Sequence, residues 1–288
     1  MEAGAAGLRV PEGFILGTEF FEPWLDTLRG SEAWKMLSSG NSEEARKASR
    51  LLKEKTRTLT FDPERTRLLR ETLEEVFGNR FPLMAVRSSS PEEDTGESSF
   101  AGAYESILGA TDASLDDSIR AVFSSCLDER ITSYKRERGY DPSESRIAVI
   151  VQRLLAADRS GVAFSANPLN NDLDEVLINA AFGLGESIVS GVVTPDTYVF
   201  NRAENRITGK TIGKKETGLF AKGGGGSERK AIANPSAETL TDDEIREVAD
   251  LCVRSEEMMQ KEADIEWAYE KGTLYLLQTR PITTLFRV

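Results

Sequence analysis

The chain has 288 residues and a formal net charge of −12, with 48 acidic and 36 basic side chains. This is the wrong sign for a nucleic-acid-binding protein, which needs many cations against the phosphates. The absence of histidine excludes His-based triads, His-ligated zinc and a phosphohistidine carried by this chain. Cys126 and Cys252 lie in apolar, periodic stretches, and we expect buried thiols in a reducing, cytoplasmic protein. No apolar run is long enough to span a bilayer, so no membrane partner is expected.

The first half of the chain is predicted to be rich in helices. In chain order, the patterns predict helices over residues 42–56 and 62–78, a strand over 83–87, a polar loop over 88–99 and a long amphipathic helix over 115–138. Asp62 is a good N-cap for the second helix, and Gly78 is a good end for it.

The second half is predicted to be rich in strands, followed by one helix and a hairpin. Apolar runs predict strands over residues 147–152, 161–165, 175–180, 198–201 and 206–211. The glycine run 223–226 predicts a flexible connection, Thr241 and Glu244 form the capping box of the last helix, and residues 264–279 predict a hairpin. Helices followed by mostly antiparallel strands indicate an α+β fold. We expect one lobe over residues 1–150 and a second over residues 151–288.

The predicted hairpin carries the most informative polar cluster. Asp264 and Glu266 are two apart on one strand, and Gln278 and Arg280 are two apart on the other, so each pair shares a face. A loop with an odd number of residues would place Glu266 opposite Gln278 and Asp264 opposite Arg280. Oxygen ligands from Glu and Gln suit Mg²⁺, and Arg280 would offset phosphate charge.

A surface ion-pair ladder is the alternative for this cluster, and such a ladder contributes little to stability. Ile265, Tyr275 and Leu277 are predicted to lie on the opposite, apolar side of the hairpin. The polar face therefore lines either a cleft or open water.

Three further segments are candidates for ligand binding. Arg87, at the end of a strand and followed by Ser88–Ser90, suits an anion, although an ion pair that anchors the loop is the alternative. Gly102, in the segment 98–106, would let a ligand approach the backbone closely, and a simple turn is the alternative. The segment 182–187 resembles a dinucleotide fingerprint but lacks its third glycine and its βαβ setting, so a turn is the alternative there too.

Taken together, these stretches resemble a known family. The matching stretches are VPEGF at 10–14, AVRSS at 85–89, SFAG at 99–102, VQR at 151–153, SGVAF at 160–164, GLGE at 183–186, VTPDTY at 193–198, DIEW at 264–267 and LQTRP at 277–281. They occur in family order over nearly the whole chain. The chain resembles the N-terminal nucleotide-binding domain of phosphoenolpyruvate synthase, pyruvate phosphate dikinase and rifampicin phosphotransferase, which has a two-lobed ATP-grasp fold.

The resemblance implies roles for individual residues. It implies that Arg87 contacts the ATP phosphates, that Gly102 and Ser106 lie along a loop over those phosphates, and that Gln152 lies near the adenine. It further implies that Glu266 and Gln278 hold Mg²⁺, with Asp264 close by, and that Arg280 completes the phosphate pocket. Arg87 and Arg280 would then act in catalysis by positioning and neutralising charge.

The resemblance also implies an ATP-dependent phosphotransferase. Such a domain passes phosphate or pyrophosphate to a histidine on a separate swivelling domain or subunit, for transfer to pyruvate or another small acceptor. Family members usually begin with a glycine-lysine segment that, by spacing, would lie just before Met1. Without that lysine, a non-catalytic or regulatory nucleotide-binding module is the alternative. An ATP-grasp ligase that forms an acyl phosphate is a third possibility.

Overall fold

The computed structural model describes residues 2–39, 41–90, 104–144 and 146–285. The chain forms two compact units, one of residues Glu12–Leu154 and one of the residues up to Pro11 together with those from Leu155 onward. This division differs from the predicted one, because the start of the chain packs with the later unit. Leu8 is buried in the core of that unit, and the Leu276 N–H donates to the Arg9 carbonyl over 2.8 Å.

The elements are numbered along the chain. The helices are α1 (Glu2–Ala5), α2 (Glu22–Arg29), α3 (Glu32–Ser39), α4 (Ser42–Thr56), α5 (Pro63–Phe77), α6 (Leu115–Ser124), α7 (Glu129–Glu137), α8 (Glu186–Val189) and α9 (Asp242–Met259). The strands are β1 (Gly13–Leu16), β2 (Met84–Ser89), β3 (Ser106–Ala110), β4 (Ala148–Arg153), β5 (Arg159–Phe164), β6 (Glu175–Phe182), β7 (Asp196–Asn201), β8 (Arg206–Thr211), β9 (Thr217–Ala221), β10 (Ser227–Ala231), β11 (Ala263–Glu270) and β12 (Thr273–Pro281). This mixture confirms the α+β prediction.

The unit of residues Glu12–Leu154 contains a four-stranded antiparallel sheet in the order β1-β4-β2-β3. Helix α6 packs on one face of this sheet. On that face Val86, Val149 and Val151 are fully buried within a core that the helices complete. Burial of such side chains stabilises the unit by about 1.5–3 kcal/mol each.

The other unit contains a six-stranded sheet in the order β12-β11-β5-β6-β7-β8, with every pair antiparallel. Helix α9 packs on one face, over the fully buried Ile265, Trp267 and Tyr198. Gly161 allows Trp267 to lie against β5, since a Cβ there would be 2.6 Å from the Trp267 ring and 1.8 Å from the Asn179 carbonyl oxygen. The glycine of the SGVAF stretch is therefore required for packing.

The end signals of the predicted helices are confirmed. The Asp62 carboxylate accepts from the Arg65 N–H over 2.8 Å at the start of α5, and Gly78 ends that helix with a φ of 71°. Thr241 and Glu244 form a capping box at the start of α9. Local hydrogen bonds thus set these boundaries, as the sequence predicts.

Two of the predicted segments differ from the structure. The long helix over 115–138 is interrupted, because the Ser124 and Ser125 hydroxyls donate to carbonyls three residues earlier, the chain tightens into a 3-10 turn and Asp128 is extended. The glycine run, predicted as a flexible connection to the last helix, forms the turn between β9 and β10, where the Lys222 N–H donates to the Gly226 carbonyl over 3.1 Å. Among the residues that the structure describes, no helix is both long and apolar enough to cross a membrane.

Candidate functional site

The β11–β12 hairpin places Glu266 directly opposite Gln278 and Asp264 directly opposite Arg280. This pairing is the predicted one, but the reason given for it was wrong. The turn has two residues, Lys271 and Gly272, both with positive φ (52° and 75°), and two such residues form a tight hairpin turn.

A β-bulge supplies the missing residue of the register. Trp267 pairs with Leu276, whereas Glu266 pairs with Gln278, so Leu277 is the extra residue on β12. This extra residue compensates for the two-residue turn, so Glu266 and Gln278 pair as an odd-membered loop was expected to pair them.

The apolar side of the hairpin also differs from the prediction. Ile265 is fully buried as expected, but Leu274 and Leu276 are the β12 residues that reach the core. Tyr275 lies opposite Ala268, on the same face as Glu266. The two-residue turn explains this exchange, because it shifts the pairing near the turn by one residue and so reverses the faces.

Asp264 and Arg280 form a half-buried ion pair. The Arg280 Nε donates to Asp264 Oδ2 over 2.7 Å, and the side chain of Asp264 is only 10% exposed. Burial raises the pKa of Asp264 above its ordinary value, and the Arg280 guanidinium opposes only part of that rise. This contact fixes the direction in which the Arg280 side chain leaves the strand.

The donor set on this face fits a hard cation. The Glu266 side chain is partly exposed and Gln278 is exposed, so carboxylate and carboxamide oxygens stand opposite each other. Such oxygens suit Mg²⁺, which usually takes one or two carboxylates and completes its shell with water and phosphate. Within the described ranges no group of three or more Cys, Asp and Glu side chains is arranged to hold a metal ion. A cation here would therefore take few protein ligands, chiefly Glu266 and Gln278 with Asp264 nearby.

The four-stranded sheet brings together three other predicted residues. Arg87 on β2 lies directly opposite Ser106 on β3, and Gln152 on β4 lies opposite Ala85, two residues before Arg87. Residues opposite or two apart share a face, so Arg87, Ser106 and Gln152 lie on one face. The core valines occupy the other face. Ser106 is exposed, and Arg87 and Gln152 are partly exposed.

The segment after Arg87 differs from its prediction. Strand β2 continues through Ser89 instead of ending at Arg87, and only Ser89 shares the Arg87 face, because Ser88 lies opposite Val149. Gly102 and most of the predicted loop lie outside the described residues.

The segment 182–187 is the turn that connects the end of β6 to the start of α8, which is the alternative given for it above. Gly183 has a φ of 82°, and a Cβ there would lie 2.1 Å from the Leu219 carbonyl oxygen. The Leu184 N–H donates to that same oxygen over 2.7 Å, and the Ser160 hydroxyl donates to the Gly183 carbonyl over 2.6 Å. These contacts join β5, β6 and β9 and explain the glycine by close packing.

Sequence reasoning missed a buried polar network around Asp196. Lys215 Nζ and the Gly213 N–H donate to Asp196 Oδ1, and both residues of the ion pair are completely buried. Thr239 donates to Oδ2 through its N–H and its hydroxyl, each over 2.7 Å, and the Tyr198 hydroxyl donates to it over 2.9 Å. The network joins β7 to the segments before β9 and α9.

The network also controls protonation. Burial alone would raise the pKa of Asp196, but the hydrogen bonds from Lys215, Thr239 and Tyr198 outweigh it and lower that pKa. Burial raises the pKa of the Tyr198 hydroxyl, which stays protonated as a donor. The one available signal was the VTPDTY stretch, whose Asp196 and Tyr198 are two apart on a strand.

A known protein family matches nearly the whole chain. Residues 1–287 match the family described as pyruvate phosphate dikinase, AMP/ATP-binding domain. The chain is 36% identical to a probable phosphoenolpyruvate synthase of Methanocaldococcus jannaschii, over 97% of this chain and 24% of that protein. It is 39% identical to the phosphoenolpyruvate synthase of Pyrococcus furiosus, over 74% of this chain and 27% of that protein.

A further relative is named for a different activity. The chain is 32% identical to the rifampicin phosphotransferase of Bacillus subtilis, over 98% of this chain and 33% of that protein. The chain thus spans between a quarter and a third of the length of these relatives. Among solved structures, D-alanine–D-alanine ligase from Helicobacter pylori aligns with a TM-score of 0.36 at 9% identity, over 98% of this chain and 52% of that one. That likeness is too weak to add to the family match.

Proposed function

Because the chain belongs to the family of pyruvate phosphate dikinase AMP/ATP-binding domains, we propose that it binds ATP with Mg²⁺ as the nucleotide-binding part of an ATP-dependent phosphotransferase. This family belongs to the ATP-grasp class. The proposal further holds that phosphate or pyrophosphate passes from ATP to a histidine on a separate swivelling domain or subunit. Pyruvate or another small molecule would be the final acceptor.

The observation that carries the proposal is the pairing of Glu266 with Gln278 beside Asp264 and Arg280. Two oxygen donors suit Mg²⁺, and the metal when bound would neutralise phosphate charge. Arg280 is oriented by the hydrogen bond from its Nε to Asp264 Oδ2, over 2.7 Å. Its guanidinium is a planar donor group suited to phosphate oxygens. A surface ladder would not require one member, Asp264, to be almost buried.

The face that carries Arg87, Ser106 and Gln152 supports the same function. Arg87 offers a guanidinium suited to phosphate oxygens, and the Ser106 hydroxyl and Gln152 amide offer hydrogen bonds. We assign Arg87 to the phosphates and Gln152 to the base, as in the family that the sequence resembles. Gly102 is assigned to the phosphate loop on the sequence alone.

The transfer step needs a partner. The chain has no histidine, so the phosphorylated histidine must belong to another domain or subunit. The names of the relatives, phosphoenolpyruvate synthase and rifampicin phosphotransferase, are consistent with different final acceptors for one shared nucleotide reaction. We also assign the protein to the cytoplasm, since Cys126 and Cys252 are buried and unbridged.

The test is a transfer assay with ATP labelled in the β or γ phosphate. The isolated chain should bind ATP yet show little steady turnover, and the label should move to protein once a histidine-bearing domain from a phosphoenolpyruvate synthase relative is added. Steady transfer by the chain alone would contradict the need for a partner. Binding without transfer in the presence of the partner would indicate a regulatory module, and trapping of an acyl phosphate by hydroxylamine would indicate a ligase.

A further inference from the structure

A row of side chains crosses five strands of the six-stranded sheet at the level of Glu266. Gln278 on β12 lies opposite Glu266, Glu266 opposite Val162 on β5, Val162 opposite Asn179 on β6, and Asn179 opposite Thr197 on β7. Directly opposite residues share a face, so all five lie on the face away from α9. We call this set the Glu266 row.

Asn179 is held in one orientation within the Glu266 row. Its Nδ2 donates to Thr197 Oγ1 over 2.8 Å, and its side chain is only partly buried. Because the amide nitrogen is bonded to Thr197, Asn179 Oδ1 keeps its capacity to accept a hydrogen bond, and no donor from the described part of the chain reaches it. An amide oxygen accepts hydrogen bonds, so its ligand must be a donor rather than a phosphate oxygen.

The surroundings of Asn179 suit the nucleoside end of a nucleotide. Phe164 and Val199 lie on the same face as Val162, and all three are partly exposed. An apolar surface with a few directed polar groups is the usual lining of a small-molecule site. Two strand spacings, about 9–10 Å, separate the backbones of Glu266 and Asn179. A nucleoside triphosphate held by its phosphates near Glu266 is long enough to bring its ribose to Asn179.

We propose that Asn179, positioned by Thr197, accepts a hydrogen bond from a ribose hydroxyl and makes the site selective for ribonucleotides. This inference rests on the proposed binding of ATP. Thr197 is a positioning residue, since it touches only Asn179 in this scheme. Mg²⁺ is left to Glu266 and Gln278, and the phosphate contact on this hairpin to Arg280.

The test compares ATP with 2′-deoxy-ATP and 3′-deoxy-ATP, each titrated with Mg²⁺ into the chain. Wild type should prefer ATP over at least one deoxy analogue by about three- to tenfold, the range of one net hydrogen bond. Asn179→Ala should lose that preference while keeping its affinity for the deoxy analogue. Thr197→Val should weaken the preference and Thr197→Ser should retain it.

Thr211→Val is the matched control, because Thr211 lies opposite Thr197 on β8 and is exposed. Its preference should equal that of wild type. An equal loss of ATP and deoxy-ATP affinity in Asn179→Ala would overturn the ribose assignment, as would a preference in wild type for ATP over inosine triphosphate that Asn179→Ala removes. Mg-dependent ATP binding without any ribose preference in wild type would overturn this inference alone, whereas the absence of ATP binding would overturn the proposed function as well.

Discussion

Arg280 Nε donates to Asp264 Oδ2 over 2.7 Å across directly opposed positions of the β11–β12 hairpin. The carboxylate is almost buried, and its position is set by a strand whose next residue, Ile265, is fully buried. The guanidinium is therefore oriented by the core beneath it. An Arg280 side chain held in this way suits the proposed phosphate contact, whereas a row of exposed surface charges would be mobile.

The first prediction concerns that contact. Asp264→Asn should weaken ATP binding by about tenfold, because a hydrogen bond to a charged group contributes about 1.5–3 kcal/mol and its loss removes one contact that orients the Arg280 side chain. Calorimetric titration measures the effect. Asp243→Asn is the control. Asp243 also forms an ion pair, with Arg246, but its side chain is 97% exposed. Equal affinity of Asp264→Asn and wild type would show that Asp264 does not position Arg280.

The second prediction concerns the buried pair of Asp196 and Lys215. Asp196→Asn should lower the free energy of unfolding by about 3–5 kcal/mol, because Lys215 would keep a buried charge without its partner. Lys210→Met removes a more exposed cation paired with Glu238 and Asp242 and should cost at most about 1 kcal/mol. Urea unfolding of both variants measures the difference. Similar losses in the two variants would contradict the account.

The third prediction is the pH dependence of that effect. The pKa of Asp196 is lowered in the folded chain, so its contribution to stability is present above its ordinary pKa of 3.8 and is lost as the pH falls through the folded value. The difference in unfolding free energy between wild type and Asp196→Asn should therefore shrink below about pH 4. A difference that grows on acidification would contradict the assigned direction.

The fourth prediction tests the packing of the SGVAF stretch. Gly161→Ala should lower the unfolding free energy by at least about 1–3 kcal/mol, because its Cβ would lie 1.8 Å from the Asn179 carbonyl oxygen. Gly223→Ala, where no atom lies within 4 Å of the added Cβ, should change stability little. Thermal unfolding compares the two. Equal melting temperatures would show that β5 and β6 are less closely packed than described.

The hairpin shows what the sequence predicts well. Residues two apart on a strand lie on the same face, and this rule alone groups Asp264 with Glu266 and Gln278 with Arg280. The register between the strands also depends on a bulge at Leu277, for which the sequence carries no clear signal. The pairing was therefore predicted correctly from a loop length that was wrong.

The missed residues share a different property. Asn179 and Asp196 are polar residues in strands that also supply core residues, and the network partners of Asp196 include Lys215 and Thr239, farther along the chain. The contacts of these residues depend on which strands become neighbours in the sheet, and the sequence pattern does not give that order. The break at Asp128 was missed for a local reason, since hydroxyl bonds to the backbone compete with a helix that the apolar stripe alone predicts.

The most direct test of the account is calorimetric titration of ATP, with Mg²⁺ and with EDTA, into wild type and Glu266→Ala. We predict Mg-dependent binding to wild type, a loss of about tenfold or more in Glu266→Ala, and nearly equal melting temperatures of the two proteins without nucleotide. Binding that is equally tight in EDTA, or that Glu266→Ala leaves unchanged, would contradict the assignment of Glu266 and Gln278 to Mg·ATP.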